Sequence, residues 1–248
     1  MIWLLLAAAG FGAGVINAIA GGGSLLSFPA LLLTGMGSVA ANATNTLAVW
    51  PGTVSSTWAY RSHILDERRR GIILTVPSAV GGLLGSWVLL NTPEKAFNAV
   101  VPWLIILACA LISFQTPIAR FVRSHRAQGE GRVPPALWVA QLLVSFYGGY
   151  FGAGMGIIML AFMGILLPTS LQHANGLKLL FSLVINGVAA VYFLVAGAAS
   201  LPHAALMAAA SIVGGVVGAH MAQRLPAGIM RAVVVAYGLV VAVVLLRK

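Results

Sequence analysis

The sequence predicts an all-α integral membrane protein made of two inverted-topology repeats, each with about five helical segments that include broken or re-entrant helices. The first reason is composition: 60% of the 248 residues are hydrophobic, 7% are charged and the mean hydropathy is +1.00, which is too apolar for a soluble protein. The second reason is that apolar runs of roughly 20 residues, the length that crosses a bilayer as a helix, recur along the chain. The third is an internal duplication. The clearest runs are 71–90, 96–115, 171–197, 204–222 and 227–246.

The net charge of +10 is distributed as in a membrane protein and gives no reason to expect a nucleic-acid partner. Most basic residues lie in two segments between apolar runs, 61–70 and 120–132, and an excess of Lys and Arg marks cytoplasmic loops. The N-terminal segment MIWLLLAAAG lacks the basic region of a signal peptide, which favours termini outside the cytoplasm. We therefore expect a multi-pass protein of the bacterial inner membrane. The single cysteine, Cys109, lies within an apolar run and indicates neither a disulfide nor a metal site.

An internal duplication relates the two halves of the chain, because separate blocks match in one register. The offset is 133 residues throughout (20 to 153) and needs no gap. The three matching blocks are AGGG at 20–23 with AGMG at 153–156, ANATN at 41–45 with ANGLK at 174–178, and VGGLLG at 80–85 with VGGVVG at 213–218. Pro93 and Pro226 also correspond.

The duplication predicts one membrane domain in three parts, with 1–116 as repeat 1, 117–135 as a basic cytoplasmic linker and 136–248 as repeat 2. Loop charges predict that the repeats are inverted. Segment 61–70 carries four arginines, whereas its counterpart 194–203 carries no Lys or Arg. The two equivalent loops should therefore lie on opposite sides of the membrane.

Each inverted repeat needs an odd number of membrane crossings, so that its ends lie on opposite sides. Three crossings are clear in repeat 1, over about 43–60, 71–90 and 96–115. The beginning of each repeat, 1–35 and 136–167, contains either two further crossings or a re-entrant hairpin, because its second apolar stretch is short for a full span.

Helix-breaking residues interrupt the apolar sequence of repeat 1, where the glycines 21–23 and Pro29 precede a cluster of Asn and Thr. Gly and Pro weaken a helix by roughly 1 and 3 kcal/mol per residue, and lipid cannot satisfy the freed backbone groups. Corresponding breaks in both halves of a transporter mark its binding site, where half-helix N-termini point at an anion. The glycines at 81–85 and 214–218 have no polar cluster nearby, so for these we expect close helix packing.

The ionisable residues favour an anionic substrate. All four acids lie outside the apolar segments, so no carboxylate is placed in the membrane to bind a cation or relay a proton. Lys178 lies inside an apolar segment, at the position that Asn45 holds in repeat 1. An intramembrane Lys is costly and indicates function; the alternative is a side chain that snorkels to the interface. His173 either shares the anion, carries a proton or is an interfacial histidine.

The predicted substrate-binding residues are the glycines of both breaks and the polar residues beside them: Gly21, Gly22, Gly23, Ser24, Asn42, Thr44, Asn45, Gly154, Gly156, His173, Asn175 and Lys178. The sequence has neither the spacing of a phosphate loop nor an H-E-x-x-H motif, and no nucleophile–base pair or metal-ligand cluster can be identified. We therefore expect no catalytic residue, no metal and no cofactor, and we expect that the chain is not an enzyme.

These residues resemble the motifs of the TauE/SafE sulfite-exporter family, and the resemblance covers nearly the whole chain. It rests on GAGVINAIAGGGSLLSFPALL followed by ANATNTLAVWPGTVSS, and on a degenerate second copy, FGAGMGIIMLAFMGILLP with HANGLKLLFSLVIN. The resemblance implies export or import of small anions, commonly sulfite or organosulfur compounds such as sulfonates. The second copy departs from the first in having Met155 where the first has Gly22.

Together these features predict a secondary transporter of a small anion, with membrane lipid around it and the substrate at the interface between the repeats. A passive anion channel of the same architecture is the alternative. The sequence leaves open the exact substrate, the direction of transport, proton co-transport or antiport, and homodimer formation.

Overall fold

The computed structural model describes residues 1–19, 22–124, 133–221 and 227–247. These residues form α-helices joined by short turns, and they contain no strand. The helices are α1 (Ile2–Ile19), α2 (Ser24–Leu32), α3 (Ser38–Ala59), α4 (Arg61–Asp66), α5 (Arg68–Asn91), α6 (Glu94–Ser124), α7 (Pro135–Tyr150), α8 (Met155–Leu166), α9 (Leu171–Val195), α10 (Leu201–Met221) and α11 (Ala227–Leu246).

Three of the described helices are long and apolar enough to cross a membrane, and they lie at Arg68–Asn91, Glu94–Phe114 and Leu171–Val195. Four shorter apolar helices accompany them, at Ile2–Asn17, Met155–Leu166, Leu201–Val217 and Ala232–Leu246. The prediction of an all-α membrane protein is confirmed. The orientation of the two repeats in the membrane stays a prediction, and most of the basic linker, residues 125–132, lies outside the described residues.

The helix α3 begins earlier than the crossing predicted over 43–60, because an acid from another helix caps its N-terminus. One carboxylate oxygen of Glu94 accepts hydrogen bonds from the backbone N–H of Ser38 (2.9 Å) and from its hydroxyl (2.7 Å), and the other accepts from the N–H of Val39 (3.1 Å). A carboxylate satisfies the free N–H groups of a first turn and opposes the helix dipole favourably. The cap ties α6 to α3.

The beginning of repeat 1 folds as a helical hairpin. α2 has 9 residues, about 14 Å at 1.5 Å per residue, which is too short for a hydrocarbon core of about 30 Å. It runs back along α1, since a Cβ atom at Gly23 would meet the backbone of Ala13 and Leu26 reaches Gly12. α2 alone is therefore too short for a second full crossing, and the number of crossings in 1–35 stays a prediction.

The beginning of repeat 2 has the same arrangement. α8 has 12 residues, about 18 Å of helix, and it follows α7 after a short turn. A Cβ atom at Gly148 of α7 would lie 2.6 Å from the sulfur of Met155, the first residue of α8. The second stretch of 136–167 is likewise too short for a full span.

Close backbone packing joins α1 of repeat 1 to α10 of repeat 2. A Cβ atom at Gly14 would meet the backbone carbonyl of Ser211, and one at Gly214 would meet the carbonyl of Phe11. Small residues allow helices in membranes to approach this closely. The packing interpretation is confirmed for Gly214, whereas Gly218 has no described side-chain environment.

The equivalent crossing joins α5 of repeat 1 to α7 of repeat 2. A Cβ atom at Gly81 would lie 2.5 Å from the carbonyl oxygen of Leu142, and one at Gly85 would meet the carbonyl of Phe146. The packing interpretation is therefore confirmed for Gly81 and Gly85 as well. In both crossings a helix of one repeat packs on a helix of the other.

The described helices form two bundles, each with three helices from one repeat and one from the other. The first bundle consists of α1, α2, α3 and α10, and the second of α5, α7, α8 and α9. The second bundle and the turn after α8 hold a hydrophobic cluster of their own, formed by Leu74, Leu137, Val144, Met155, Met159, Met163, Leu167, Leu177, Phe181 and Ile185. α6 and α11 pack on each other, α6 also on α8 and α11 also on α2.

The bundles meet where α3 and α9 cross in opposite directions. The indole N–H of Trp50 donates to the carbonyl of Leu183 (3.2 Å), and the hydroxyl oxygen of Thr57 lies 3.2 Å from the carbonyl oxygen of Leu179. Gly187 leaves room for the Trp50 ring, because a Cβ atom there would lie 3.1 Å from the indole nitrogen.

Candidate functional site

The first helix break lies between α1 and α2, as the glycines predicted. Gly22 has φ +92, a conformation that residues with a Cβ atom adopt at a cost. The next N–H, that of Gly23, donates to the side-chain oxygen of Asn17 (2.7 Å). α2 then starts at Ser24. Gly21 lies outside the described residues.

Asn45 of α3 lies beside this break, with Ser27 of α2 as its partner. The Ser27 hydroxyl donates to the Asn45 side-chain oxygen at 2.5 Å and lies 3.2 Å from the carbonyl oxygen of Gly23. Both side chains are buried. We call Gly22, Gly23, Ser27 and Asn45 the first half-site; it contains no ionisable side chain.

The other polar residues of α3 hold neighbouring segments. Asn42 donates from its side-chain nitrogen to the carbonyl of Tyr150 (2.9 Å), the last residue of α7. Thr44 accepts from the backbone N–H of Ser200 (2.9 Å), in the turn between α9 and α10. Asn42 thus links α3 to the second break, whereas Thr44 supports a turn of repeat 2.

The second helix break lies between α7 and α8. Gly152 and Gly154 have φ +79 and +80, and the hydroxyl of Tyr147 donates to the carbonyl of Ala153 (2.6 Å). This bond satisfies one of the backbone groups that the break frees from helical pairing. The break is therefore an ordered turn that a side-chain hydrogen bond stabilises.

Both breaks touch the same turn of α6. A Cβ atom at Gly22 would meet the side chain of Ile112, and one at Gly154 would lie 3.2 Å from the side chain of Leu111. Phe28 of α2 also packs edge-on against Phe151 of the second break, with ring centroids 5.7 Å apart. The two breaks thus come together in the middle of the molecule.

Lys178 of α9 lies beside the start of α8. Its ammonium group donates to the side-chain oxygen of Asn175 (3.2 Å). Its aliphatic stem passes close to Gly156, because a Cβ atom added at Gly156 would lie 3.0 Å from Cδ of the lysine. The absence of a side chain at Gly156 therefore makes room for the lysine. We call Gly154, Gly156, Asn175 and Lys178 the second half-site.

Each acid in the described residues has a partner other than Lys178. Asp66 lies 3.1 Å from His173, Glu67 pairs with Arg70 at 2.7 Å, and Glu94 caps α3. The fourth acid, Glu130, lies outside the described residues. Among the described residues, no carboxylate pairs with the Lys178 ammonium.

The two half-sites are separate. Thr57 contacts the backbone carbonyl of Leu179, beside Lys178, and the twelve residues from Asn45 to Thr57 correspond to about 18 Å along α3 at 1.5 Å per residue. The Lys178 ammonium points to Asn175, one turn further from the crossing of α3 and α9. Asn45 and Lys178 therefore lie far apart along α3, whereas the glycines of the two breaks adjoin the same turn of α6.

His173 lies in a polar cluster at the beginning of α9. Its Nδ1 atom is 2.5 Å from the hydroxyl of Ser170, the N-cap residue, and its Nε2 atom is 3.1 Å from Asp66. The ring of His63 stands edge-on to it, with centroids 5.2 Å apart. These partners come from α4 and the N-terminal turn of α9, and Lys178 is not among them.

Sequence reasoning missed three side chains at the breaks, namely Asn17, Ser27 and Tyr147. Asn17 and Ser27 stand in the quoted motif of the first break, where a polar residue within an apolar run was the available signal. Tyr147 carried no such signal, because a tyrosine in an apolar helix is also an ordinary packing residue.

A chain of apolar helices with two corresponding helix breaks, and with an apolar-helix lysine that pairs with no carboxylate among the described residues, has the features of a membrane transporter. Residues 6–245 match the family model described as sulfite exporter TauE/SafE, and the chain belongs to this family. It is a membrane transporter of the TauE/SafE type.

The relatives of the chain carry transporter names. It is 32% identical over 236 residues to a probable membrane transporter protein of Haemophilus influenzae, covering 93% of this chain and 89% of the relative. It is 31% identical over 248 residues to the probable membrane transporter protein ORF9 of a Sinorhizobium species, covering 96% of this chain and 90% of the relative. No solved structure matches the chain.

Proposed function

We propose that this protein is a secondary transporter of a small anion, of the sulfite or organosulfur class, and that the anion binds at the second half-site. The observation that carries the proposal is the environment of Lys178: its ammonium contacts an amide oxygen, and the described acids have other partners. A cation in an apolar surrounding binds an anion in place of the missing carboxylate.

The charge contributes more to binding than the neighbouring hydrogen bonds. Two opposite unit charges 4 Å apart interact by about 4 kcal/mol at an effective dielectric constant of 20, against about 1 kcal/mol in bulk water. Desolvation of both partners opposes part of this gain. A binding loss of at least about tenfold, or 1.4 kcal/mol, is therefore expected when the charge is removed.

In this proposal the first half-site is a neutral station on the same route. Ser27 and Asn45 offer hydrogen bonds without charge, so an anion is held there more weakly than at Lys178. A weak hold favours release, and transport requires that binding be strong enough to enter and weak enough to leave. The 61–70 loop then faces the cytoplasm, and both termini face the other side of the inner membrane.

Proton coupling is the finer part of the proposal. No carboxylate in the described apolar helices is placed for a proton relay, so the proton travels on a weak acid such as bisulfite or through His173, which bridges Ser170 and Asp66. An anion channel of the same architecture would lack such coupling. Sulfite accumulation against its gradient in sealed vesicles, driven by an imposed pH gradient, supports the transporter; equilibration without accumulation supports the channel.

The decisive experiment is calorimetric sulfite binding by Lys178 variants of the purified protein, with taurine, sulfoacetate and thiosulfate as further probes. Lys178→Gln should weaken binding at least about tenfold, and Lys178→Arg should retain part of it because the charge persists. Lys95→Gln removes a lysine from the exposed start of α6 and should leave binding unchanged. Equal binding by the parent protein and Lys178→Gln would refute the assignment.

A further inference from the structure

We infer that the units that move during transport are the two bundles, each of which contains one helix of the other repeat, and not the two sequence repeats. The first bundle is α1, α2, α3 and α10, and the second is α5, α7, α8 and α9. This inference rests on the proposed transport function, because alternating access moves one packed unit of a transporter against another. It differs from motion of the repeats in a definite way: α5 moves with repeat 2 and α10 with repeat 1.

The first support is the pair of glycine crossings, which bind the exchanged helices to their bundles. At Gly14 and Gly214 in the first bundle, and at Gly81 and Gly85 in the second, a single added carbon would collide with the facing backbone. Backbones in such contact do not slide past each other without steric conflict, because packed interfaces change between discrete arrangements and do not deform continuously.

The second support is the hydrophobic cluster of the second bundle. Its buried members come from α5, α7, α8, α9 and the residue that follows α8, and include Leu74 of repeat 1 beside Phe181 and Ile185 of repeat 2. Separating repeat 1 from repeat 2 would divide this cluster and break the close packing of its side chains, which is what holds apolar helices together in lipid. Moving the whole bundle leaves this cluster intact. The larger buried cluster, which includes Ala48 of α3 and Ala190 of α9, lies at the contact between the bundles and must open there during such a motion.

The third support is the contact between the bundles at the crossing of α3 and α9, where side chains donate to backbone carbonyls. Trp50 donates to Leu183, and the Thr57 hydroxyl lies close to Leu179. In contrast with the glycine crossings, these contacts involve side chains that can change rotamer. The contact of Asn42 with Tyr150 also joins the two bundles through a side chain.

The fourth support is the position of the connections. Within the described residues the chain passes from the first bundle to the second through α4, and from the second to the first through 196–200. Tyr60 and Glu67 at the two ends of α4 leave helical geometry, and Gly197 has φ +63. Short segments of this kind absorb the backbone rotation of a hinge.

The two half-sites lie in different bundles, and so in different moving units. Asn45 and Ser27 belong to the first bundle, whereas Lys178 and Asn175 belong to the second. A relative displacement of the bundles therefore changes the surroundings of both half-sites at once. A displacement of this kind would expose them to the two sides in turn.

Cross-linking distinguishes the two modes of motion. In a background with Cys109→Ala, Trp3→Cys with His203→Cys joins the repeats within the first bundle, where the native rings stack at 4.8 Å. Thr57→Cys with Leu179→Cys joins the repeats across the two bundles. A short bifunctional thiol reagent on the first pair should leave sulfite transport within about twofold of the untreated variant, and on the second pair should reduce it at least about tenfold.

Binding separates this test from a test of the proposed function. The untreated and cross-linked variants should bind sulfite alike in calorimetry; absence of binding in the untreated protein would count against the proposed substrate. Loss of transport with retained binding after cross-linking of the Trp3→Cys and His203→Cys pair would overturn the bundle inference. Unimpaired transport after cross-linking of the Thr57→Cys and Leu179→Cys pair would overturn it too.

A second measurement needs no anion. Spin labels at Leu4 and Val217 lie in one bundle but in different repeats, whereas labels at Leu4 and Val80 lie in one repeat but in different bundles; all three residues are exposed. Pulsed electron paramagnetic resonance in liposomes should give one narrow distance distribution for the first pair and a broad or two-peaked one for the second. The reverse pattern, or equally narrow distributions, would contradict the inference.

Discussion

The two half-sites occupy equivalent positions of the duplicated sequence and yet differ in charge. At the first break Asn45 accepts a hydrogen bond from Ser27, and both are neutral. At the second break Lys178 stands in place of Asn45, and Leu160 in place of Ser27. The same scaffold of helix break, short helix and facing helix therefore supports a neutral site and a cationic one. The backbone arrangement is alike at the two breaks, whereas the side chains beside them differ.

The largest expected difference between the halves is their orientation. In a Cys109→Ala background, cysteines at Ser62 and Ala196, both exposed in equivalent loops, should react with a membrane-impermeant thiol reagent from opposite sides of sealed vesicles. The physical reason is the concentration of arginine in one loop and its absence from the other. Labelling of both positions from the same side would remove the basis for inverted repeats.

The next largest effect concerns the first break. Gly22→Leu should abolish sulfite transport, because the side chain would meet Ile112 where the two breaks adjoin α6, and φ +92 is unfavourable for leucine. Gly35→Leu is the matched control, since Gly35 also has a positive φ but has nothing within 4 Å of an added Cβ atom.

The comparison of these two glycine variants separates the effect of backbone strain from the effect of a side chain at the substrate site. Backbone strain should cost both variants about 1–2 kcal/mol of stability, as measured by thermal unfolding in detergent, and Gly22→Leu should lose more because of its contact with Ile112. Only Gly22→Leu should lose transport. Equal transport by the two variants would place the substrate route elsewhere.

A smaller effect is expected from the neutral half-site. Ser27→Ala removes the donor to the buried Asn45 oxygen, and an unsatisfied buried acceptor costs about 1–3 kcal/mol. We expect a lower unfolding temperature and sulfite affinity within about threefold of the parent, since charge at Lys178 dominates binding. An affinity loss as large as that of Lys178→Gln would show that the two half-sites contribute equally. Ser113→Ala, at an exposed serine of α6 whose hydroxyl donates to the carbonyl of Cys109 in its own helix, serves as the control.

The smallest effect on binding is expected at His173. Because its ring contacts Ser170 and Asp66 and not Lys178, His173→Gln should leave sulfite affinity within about twofold. If the histidine carries the coupled proton, the pH dependence of sulfite transport should flatten. An unchanged pH profile would indicate that the coupled proton is carried by the substrate and not by His173. His203→Gln, which alters a similar contact with the hydroxyl of Ser200 at the start of α10, is the control.

Much of the local structure follows from the sequence. Hydropathy identified the long helices, and the glycines located both breaks, because backbone propensity and burial in lipid are properties of short segments. The charge contrast between Lys178 and Asn45 was also visible in the aligned repeats. Ser27 and Tyr147 were missed, since a hydroxyl in an apolar helix gives no information about its partner.

The sequence by itself determined that this is an all-α membrane protein with a duplicated helical unit, one helix break in each copy, and a lysine within an apolar segment. Only the tertiary structure decided that α5 and α10 exchange between the halves, that Asn42 reaches Tyr150, and that Asn45 and Lys178 lie in separate half-sites. The physical reason is that apolar helices in lipid choose partners by surface shape and small-residue contacts. Many glycine pairs could satisfy such contacts, and the choice among them depends on how all the helices pack together.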